Sequence, residues 1–229
     1  MTVVLGALDG EIRELVEAVA DRREETWHGH VFHIGTVAES PVVVARSGVG
    51  KAYSAAVAQH LIDRYQPERV IFTGVAGALN PAYDIGDIVV ARDCMQYDLD
   101  ATAVGFARGE VPYTGLRELA CDPALVRIVS SLPTETEGVH VGRILTGDRF
   151  VTTADEEEYA FLREELFGDA VEMEGAAVGL VATVNEVPFV VVRTISDRAD
   201  RETGKRFAKV LPMVARHART VVRHLLENT

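Results

Sequence analysis

Five carboxylates stand where apolar runs stop and the chain turns: Asp9 and Glu11 after the first run, Glu172 and Glu174 on either side of Met173, and Asp197 after PFVVVRTIS. A carboxyl group so placed can give or take a proton during a reaction, provided that burial or a neighbouring charge adjusts its proton affinity. In open α/β sheets the crevice that receives ligands lies beyond the carboxyl ends of the strands. The five residues are therefore candidates for one site. Taken alone, each has a plainer reading: Glu11 as a helix cap or surface carboxylate, Asp197 as a turn cap after Ser196.

The elements that must position them alternate between strand and helix. Residues 2–8 read as a short buried strand, and Ile12, Leu15, Val16 and Val19 predict a helix from Glu11 to about Asp21. Residues 30–37 and 41–46 read as strands, and 52–65 as a helix that stops before Pro67. A buried strand over 69–73 runs into a glycine-bearing turn, Gly74-Val75-Ala76-Gly77, and 86–91 form another strand. Segment 98–117, with Gly105, Gly109, Pro112 and Gly115, is a long loop of the kind that serves a site or an interface. Beyond it come a short helix (122–132), a strand (139–145), an acidic helix (155–166), a helix of small residues (174–185), the strand 188–195 and an amphipathic helix from about Lys205 to Leu226. This order predicts one α/β domain over residues 1–229, in three layers, with a central twisted, mixed and largely parallel sheet flanked by helices.

The chain has 229 residues, 48% hydrophobic and 25% charged, the balance of a globular protein. Its formal charge of −12 argues against a polyanionic partner such as nucleic acid, whose binding needs a basic stripe to replace counterions. The first residues show no basic stretch ahead of an apolar run, and no run of about eighteen apolar residues occurs, so a cytoplasmic location is expected. Cys94 and Cys121 fit neither a zinc knuckle nor a CxxC pair and read as buried thiols.

Other motifs fail on inspection. GVGKA at 48–52 lacks both the distal glycine and the following Ser or Thr of a phosphate loop, where Ala45 and Ala52 stand, and Tyr53 takes the third glycine place of a dinucleotide fingerprint. His28, His30 and His33 would divide between the two faces of a strand, and there is no HExxH or GxSxG. The run Asp155–Glu158 reads as the solvated first turn of a helix.

In order along the chain, LGALDGEI (5–12), SGVGK (47–51), TGVAGAL (73–79), GDIVVA (86–91), TGDRF (146–150), VEMEGAA (171–177) and PFVVVRTISDRAD (188–200) resemble the purine nucleoside and uridine phosphorylase superfamily, and most of all its 5'-methylthioadenosine/S-adenosylhomocysteine nucleosidases. The resemblance spans nearly the whole chain and implies a nucleoside phosphorylase-like fold, a homodimer and no cofactor or metal. It implies that Glu11 is the base that activates water, that Glu174 holds the ribose hydroxyls with Met173 beneath the sugar, and that Asp197 protonates the departing purine. Ala76 and Gly77 would lie near the base, Phe150 and Val151 would stack on adenine and meet it with backbone groups, and Arg193 would orient Glu11 or the water. Val49, Phe207 and a partner's 102–113 loop, with Val104, Phe106 and Pro112, would line the 5' end, an apolar setting that suits an alkylthio group.

The chemistry accords with those roles. Breaking an N-glycosidic bond spreads positive charge over C1' and the ring oxygen and negative charge over the purine, so a carboxylate by the sugar and a protonated carboxyl by N7 both help. Aspartate at 197 goes with 6-aminopurines in this superfamily, which points to adenine. Phosphorylases there carry a cationic residue and a serine where this chain has Phe72 and Val75, and neither of these can bind an anion. Hydrolysis is therefore expected. Val75 also departs from the nucleosidases, which carry Ser, and Arg198 is a second departure, a cation that would hold the carboxyl at 197 in its ionised form if turned inward. The alternatives are a nucleosidase for 5'-deoxyadenosine or aminodeoxyfutalosine, a phosphate-dependent phosphorylase, and a nucleoside-binding protein that kept the fold without turnover.

Overall fold

A computed structural model of the protein describes residues 1–134, 138–151, 156–197 and 203–229; of Glu156 and residues 203–208 it describes the backbone alone. The first strand, β1 (Thr2–Gly6), is buried along its length and lies between β4 (Ser40–Arg46) and β5 (Arg69–Ala78), parallel to both. A strand covered on both faces needs apolar side chains at every position, which is why TVVLG and PVVVA show no polar alternation. Val3, Leu5, Val43, Ala45 and Phe72 face one side, beneath α2 (Lys51–Tyr65) and α6 (Gly175–Val184). Val4, Val42, Val44 and Ile71 face the other, beneath α1 (Asp9–Ala18), α3 (Pro123–Ser130) and α7 (Thr203–Glu227). These are the three layers.

The sheet is mixed. At its centre β4, β1, β5 and β10 (Phe189–Asp197) are parallel neighbours. β10 also pairs antiparallel with β6 (Ile88–Gln96); β6 is parallel to β8 (Val139–Thr146), β8 to β9 (Ala170–Glu172), and β9 returns antiparallel to the tip of β5. Five strands thus close a circuit, and β5 belongs both to it and to the open sheet that continues through β1, β4, β3 (His30–Val37) and β2 (Ala20–Trp27). β7 (Leu119–Ala120) adds a short pairing to β6.

Three local expectations change. The first helix ends at Ala18, and ADRREETW forms β2, whose exposed, charged side chains carry no apolar alternation because it is the outer edge strand. Gly74–Gly77 form no turn: β5 runs straight through them, pairing with β10 as far as Gly77. The acidic helix is two short ones, α4 (Glu156–Tyr159) and α5 (Phe161–Glu164), and Asp155 lies outside the described residues. Segment 98–117 is a loop with one 3-10 turn at Thr102–Val104 and a bridge between Val111 and Leu116. No helix among the described residues is long and apolar enough to cross a membrane.

Candidate active site

The end of β1 delivers Glu11. After Gly6 the chain turns sharply into α1, and a side chain at Gly6 would run into Ile12 Cγ2 at 2.5 Å. Glu11 sits in the first turn of that helix, where its Oε2 accepts the Leu8 N–H at 2.9 Å and its Oε1 accepts the Val75 N–H of β5 at 3.0 Å. It therefore caps the helix and also reaches the neighbouring strand. Only 1% of it is exposed, and burial raises its proton affinity against the opposing pull of Arg193 and of the N–H groups of Leu8, Val75 and Ala7. Asp9 does not join the site: its side chain is 81% exposed and lies 3.6 Å from Arg46, because the first helical turn points residue 9 outward when residue 11 points in.

β9 and the start of α6 deliver Glu172 and Glu174. Glu172 accepts the N–H groups of Glu174 at 3.0 Å and of Gly175 at 2.7 and 2.9 Å, together with the Thr146 hydroxyl, whose oxygen in turn accepts the Ala176 N–H at 2.8 Å. A carboxylate bound this way satisfies orphan donors at a helix N-terminus. Arg193 of β10 lies beside them, its guanidinium 4.1 Å above the Phe72 ring. Nη2 pairs with Glu172 Oε2 and stands 3.8 Å from Glu174 Oε2. Glu174 accepts the Gly50 N–H at 2.9 Å on its other oxygen. Burial, and then the negative charge of Glu172, push the Glu174 carboxyl up to about 8, while Arg193 and the Gly50 N–H pull it down.

Asp197 closes β10. A bulge between Ile195 and Asp197 brings it opposite Gly77, where an added Cβ would stand 3.1 Å from Asp197 Oδ1, and bulges commonly re-aim a side chain in this way. Ser196 donates its hydroxyl to Asp197 Oδ2 at 2.7 Å, and both residues are buried.

Glu11, Glu172, Glu174 and Asp197 line one cleft of about 700 Å³. Its other walls are mainly apolar: Ala76, Gly77, Val151 and Met173 inside, Val75 beside Glu11, and Val49 and Phe150, each 51% exposed, at the mouth. Six of the predicted contact residues are thus brought together. Arg193 lies behind the lining, reaching the cleft through Glu172 and Glu174. The Phe207 side chain and all of Arg198 lie outside the described residues. Ser196 and Arg149 also line the cleft. The adjacency of Ser196 to Asp197 was a usable signal for the first, whereas nothing local marks Arg149, which pairs with Glu158 at 3.1 Å. Phe72 is fully buried under Arg193, and among the described lining residues Arg149 is the only cation. The histidines serve elsewhere: His28 and His30 pack around Trp27, whose ring stacks on His60 at 4.1 Å.

A family model described as the phosphorylase superfamily matches residues 2–227. The 5'-methylthioadenosine/S-adenosylhomocysteine nucleosidase of Anoxybacillus flavithermus is 36% identical over 223 residues, which are 96% of this chain and 94% of that protein. Among solved structures, the nucleosidase of the same name from Neisseria meningitidis, in complex with methylthio-immucillin-A, aligns with a TM-score of 0.94 at 31% identity, covering 100% of this chain and 99% of its own. The futalosine hydrolase of Helicobacter pylori aligns with a TM-score of 0.92 at 31% identity, covering 100% and 97%. Agreement of sequence and fold over the full length, around a cleft of buried carboxylates, places this chain in the 5'-methylthioadenosine/S-adenosylhomocysteine nucleosidase family of the phosphorylase superfamily.

Proposed function

We propose that this protein hydrolyses the N-glycosidic bond of 5'-methylthioadenosine and S-adenosylhomocysteine, releasing adenine and the 5-thioribose product. The observation that carries the reading is the convergence of Glu11, Glu174 and Asp197 on one largely apolar cleft. Asp197 gives its proton to N7 as the bond to C1' breaks; Ser196 fixes one of its oxygens and the missing Cβ of Gly77 leaves room beside the other. Glu174 holds the ribose hydroxyls and faces the positive charge that develops on the sugar, with Met173 beneath it. Glu11, whose burial strengthens it as a base, takes the proton of the attacking water. Phe150 and Val151 hold the adenine, Ala76 and Gly77 lie along it, and Val49 meets the 5' substituent.

Water rather than phosphate is the nucleophile in this reading, because Phe72 and Val75 offer an anion neither a cation nor a hydroxyl. Incubation with 5'-methylthioadenosine in phosphate-free buffer tests it: free adenine should accumulate. Adenine released only after phosphate is added would overturn hydrolysis. A second reading, cleavage of an aminodeoxyfutalosine-type nucleoside, is favoured by the likeness to the Helicobacter pylori futalosine hydrolase. Relative kcat/KM across a panel of 5'-substituted adenine nucleosides decides between the two.

The same proposal includes a single domain over residues 1–229, a cytoplasmic location, and a homodimer in which loop 102–113 approaches the partner's cleft. Supporting the dimer are Val104 and Tyr113, large apolar residues left 73% and 92% exposed on that loop.

A further inference from the structure

Among the described residues, Glu172 is the one buried carboxylate of the cleft to which the mechanism gives no task. Its surroundings are unusually complete: both oxygens are taken up by the first turn of α6, the Thr146 hydroxyl and Arg193. A carboxylate with so many donors is held in place. Arg193 is nearly as confined, with Phe72 under its guanidinium and Gly74 of β5 so close that a Cβ there would meet Nη1. The cation could pair closely with either glutamate. It is in hydrogen-bond contact with Glu172 and stands 3.8 Å from Glu174.

We infer that Glu172 is a positioning residue for the reaction: by holding Arg193 to itself it keeps the cation from neutralising Glu174, and so leaves Glu174, which gives up its proton to solvent when the ribose hydroxyls bind it, free to answer the positive charge that develops on the ribose. The inference rests on the ribose-facing role proposed for Glu174. If Arg193 closed onto Glu174, the attraction between ribosyl cation and carboxylate would be spent before the transition state formed. Among the described residues, the charges that act on Glu174 come from three sides: Glu172 on β9, Arg193 on β10 and Glu11 on α1. On the fourth, at the start of α2, the Gly50 N–H meets it, and the adjoining Lys51 is engaged with Asp98 and Asp148. Removing the charge of Glu172 therefore relieves repulsion at Glu174 and releases Arg193 toward it, and both effects make Glu174 easier to ionise.

Two variants separate charge from geometry, read by 13C NMR titration of glutamate carboxyls in the ligand-free enzyme, with Glu174 assigned by its loss in Glu174→Gln, and by kcat and KM for 5'-methylthioadenosine. Glu172→Gln should lower the Glu174 midpoint by about one pH unit or more and reduce kcat by on the order of tenfold or more, with a smaller change in KM. Glu172→Asp keeps the charge but retreats from Arg193, so the midpoint should fall less than in Glu172→Gln while kcat still falls. A Glu174 midpoint unchanged in folded Glu172→Gln overturns the inference, as does an equal shift in both variants. Should Glu172→Gln not fold, wild-type kcat in Glu172→Asp overturns it. The titration needs no turnover: a wild-type protein that released no adenine would sink the proposed function and leave the coupling of Glu172 to Glu174 to be judged on its own.

Discussion

Glu174 is kept in a place where its charge is costly, and the consequence is measurable without substrate. Its folded-state carboxyl, pushed up to about 8 from an ordinary 4.5, binds a proton over a pH range in which the unfolded chain has released it. The stability linked to that proton is fully present below the ordinary value and is lost as pH rises through about 8. Glu174→Gln, which cannot ionise and can still accept the Gly50 N–H, should therefore melt higher than the wild type at pH 9. The gap should be several degrees, since 1 kcal/mol moves Tm by about 2–4 °C in a chain of this size, and it should close toward pH 5. Equal Tm differences at both pH values would remove the proton linkage. At Asp197 the expectation is kinetic: Asp197→Asn should lower adenine release by about 10²–10⁴-fold, the usual worth of a general acid, with Tm little changed. Near-wild-type turnover would remove Asp197 as the acid.

β5 is the element on which the site turns. It pairs with β1, β10 and β9, and so it passes between the strands that deliver Glu11, Asp197 and Glu172. Two of its glycines mark close approaches: a Cβ at Gly74 would lie 2.7 Å from Glu11 Oε1 as well as against Arg193, and one at Gly77 would crowd Asp197. Neither Glu11 nor Arg193 can give way without losing buried hydrogen bonds. Gly74→Ala should thus cost about 1–3 kcal/mol in urea denaturation and abolish most activity; a neutral ΔΔG would show that the strand can shift. The same glycines explain why the strand looked like a turn. Gly-Val-Ala-Gly is turn chemistry when judged locally, and only the neighbours on both sides show that the glycines make room for side chains instead.

For the whole molecule, the open test is assembly. Loop 102–113 carries its exposed apolar side chains without covering its own cleft: none of its residues lines that cleft, whereas Val49 and Phe150 at the mouth are half exposed. If the homodimer proposed above forms, sedimentation should give a species of about twice 24.9 kDa. Replacing Val104 and Tyr113 with Asp should then shift it toward monomer and raise KM more than it lowers kcat. A wild-type monomer with full activity would refute this arrangement.

The order of apolar runs and breaks determined the three-layer α/β fold, because strands buried on both faces must be apolar throughout and amphipathic helices must show one stripe. It also placed five carboxylates where apolar runs stop, four of which line the cleft. Tertiary structure alone decided that Asp9 turns away, that ADRREETW is an edge strand, and that Arg193 works from behind the lining held by Glu172. It also decided the proton affinity of Glu174. The physical reason is distance along the chain: the Gly50 N–H that binds Glu174 is 124 residues away, and the Val75 N–H that binds Glu11 is 64 away. Burial and charge depend on such partners, and no local spacing carries them.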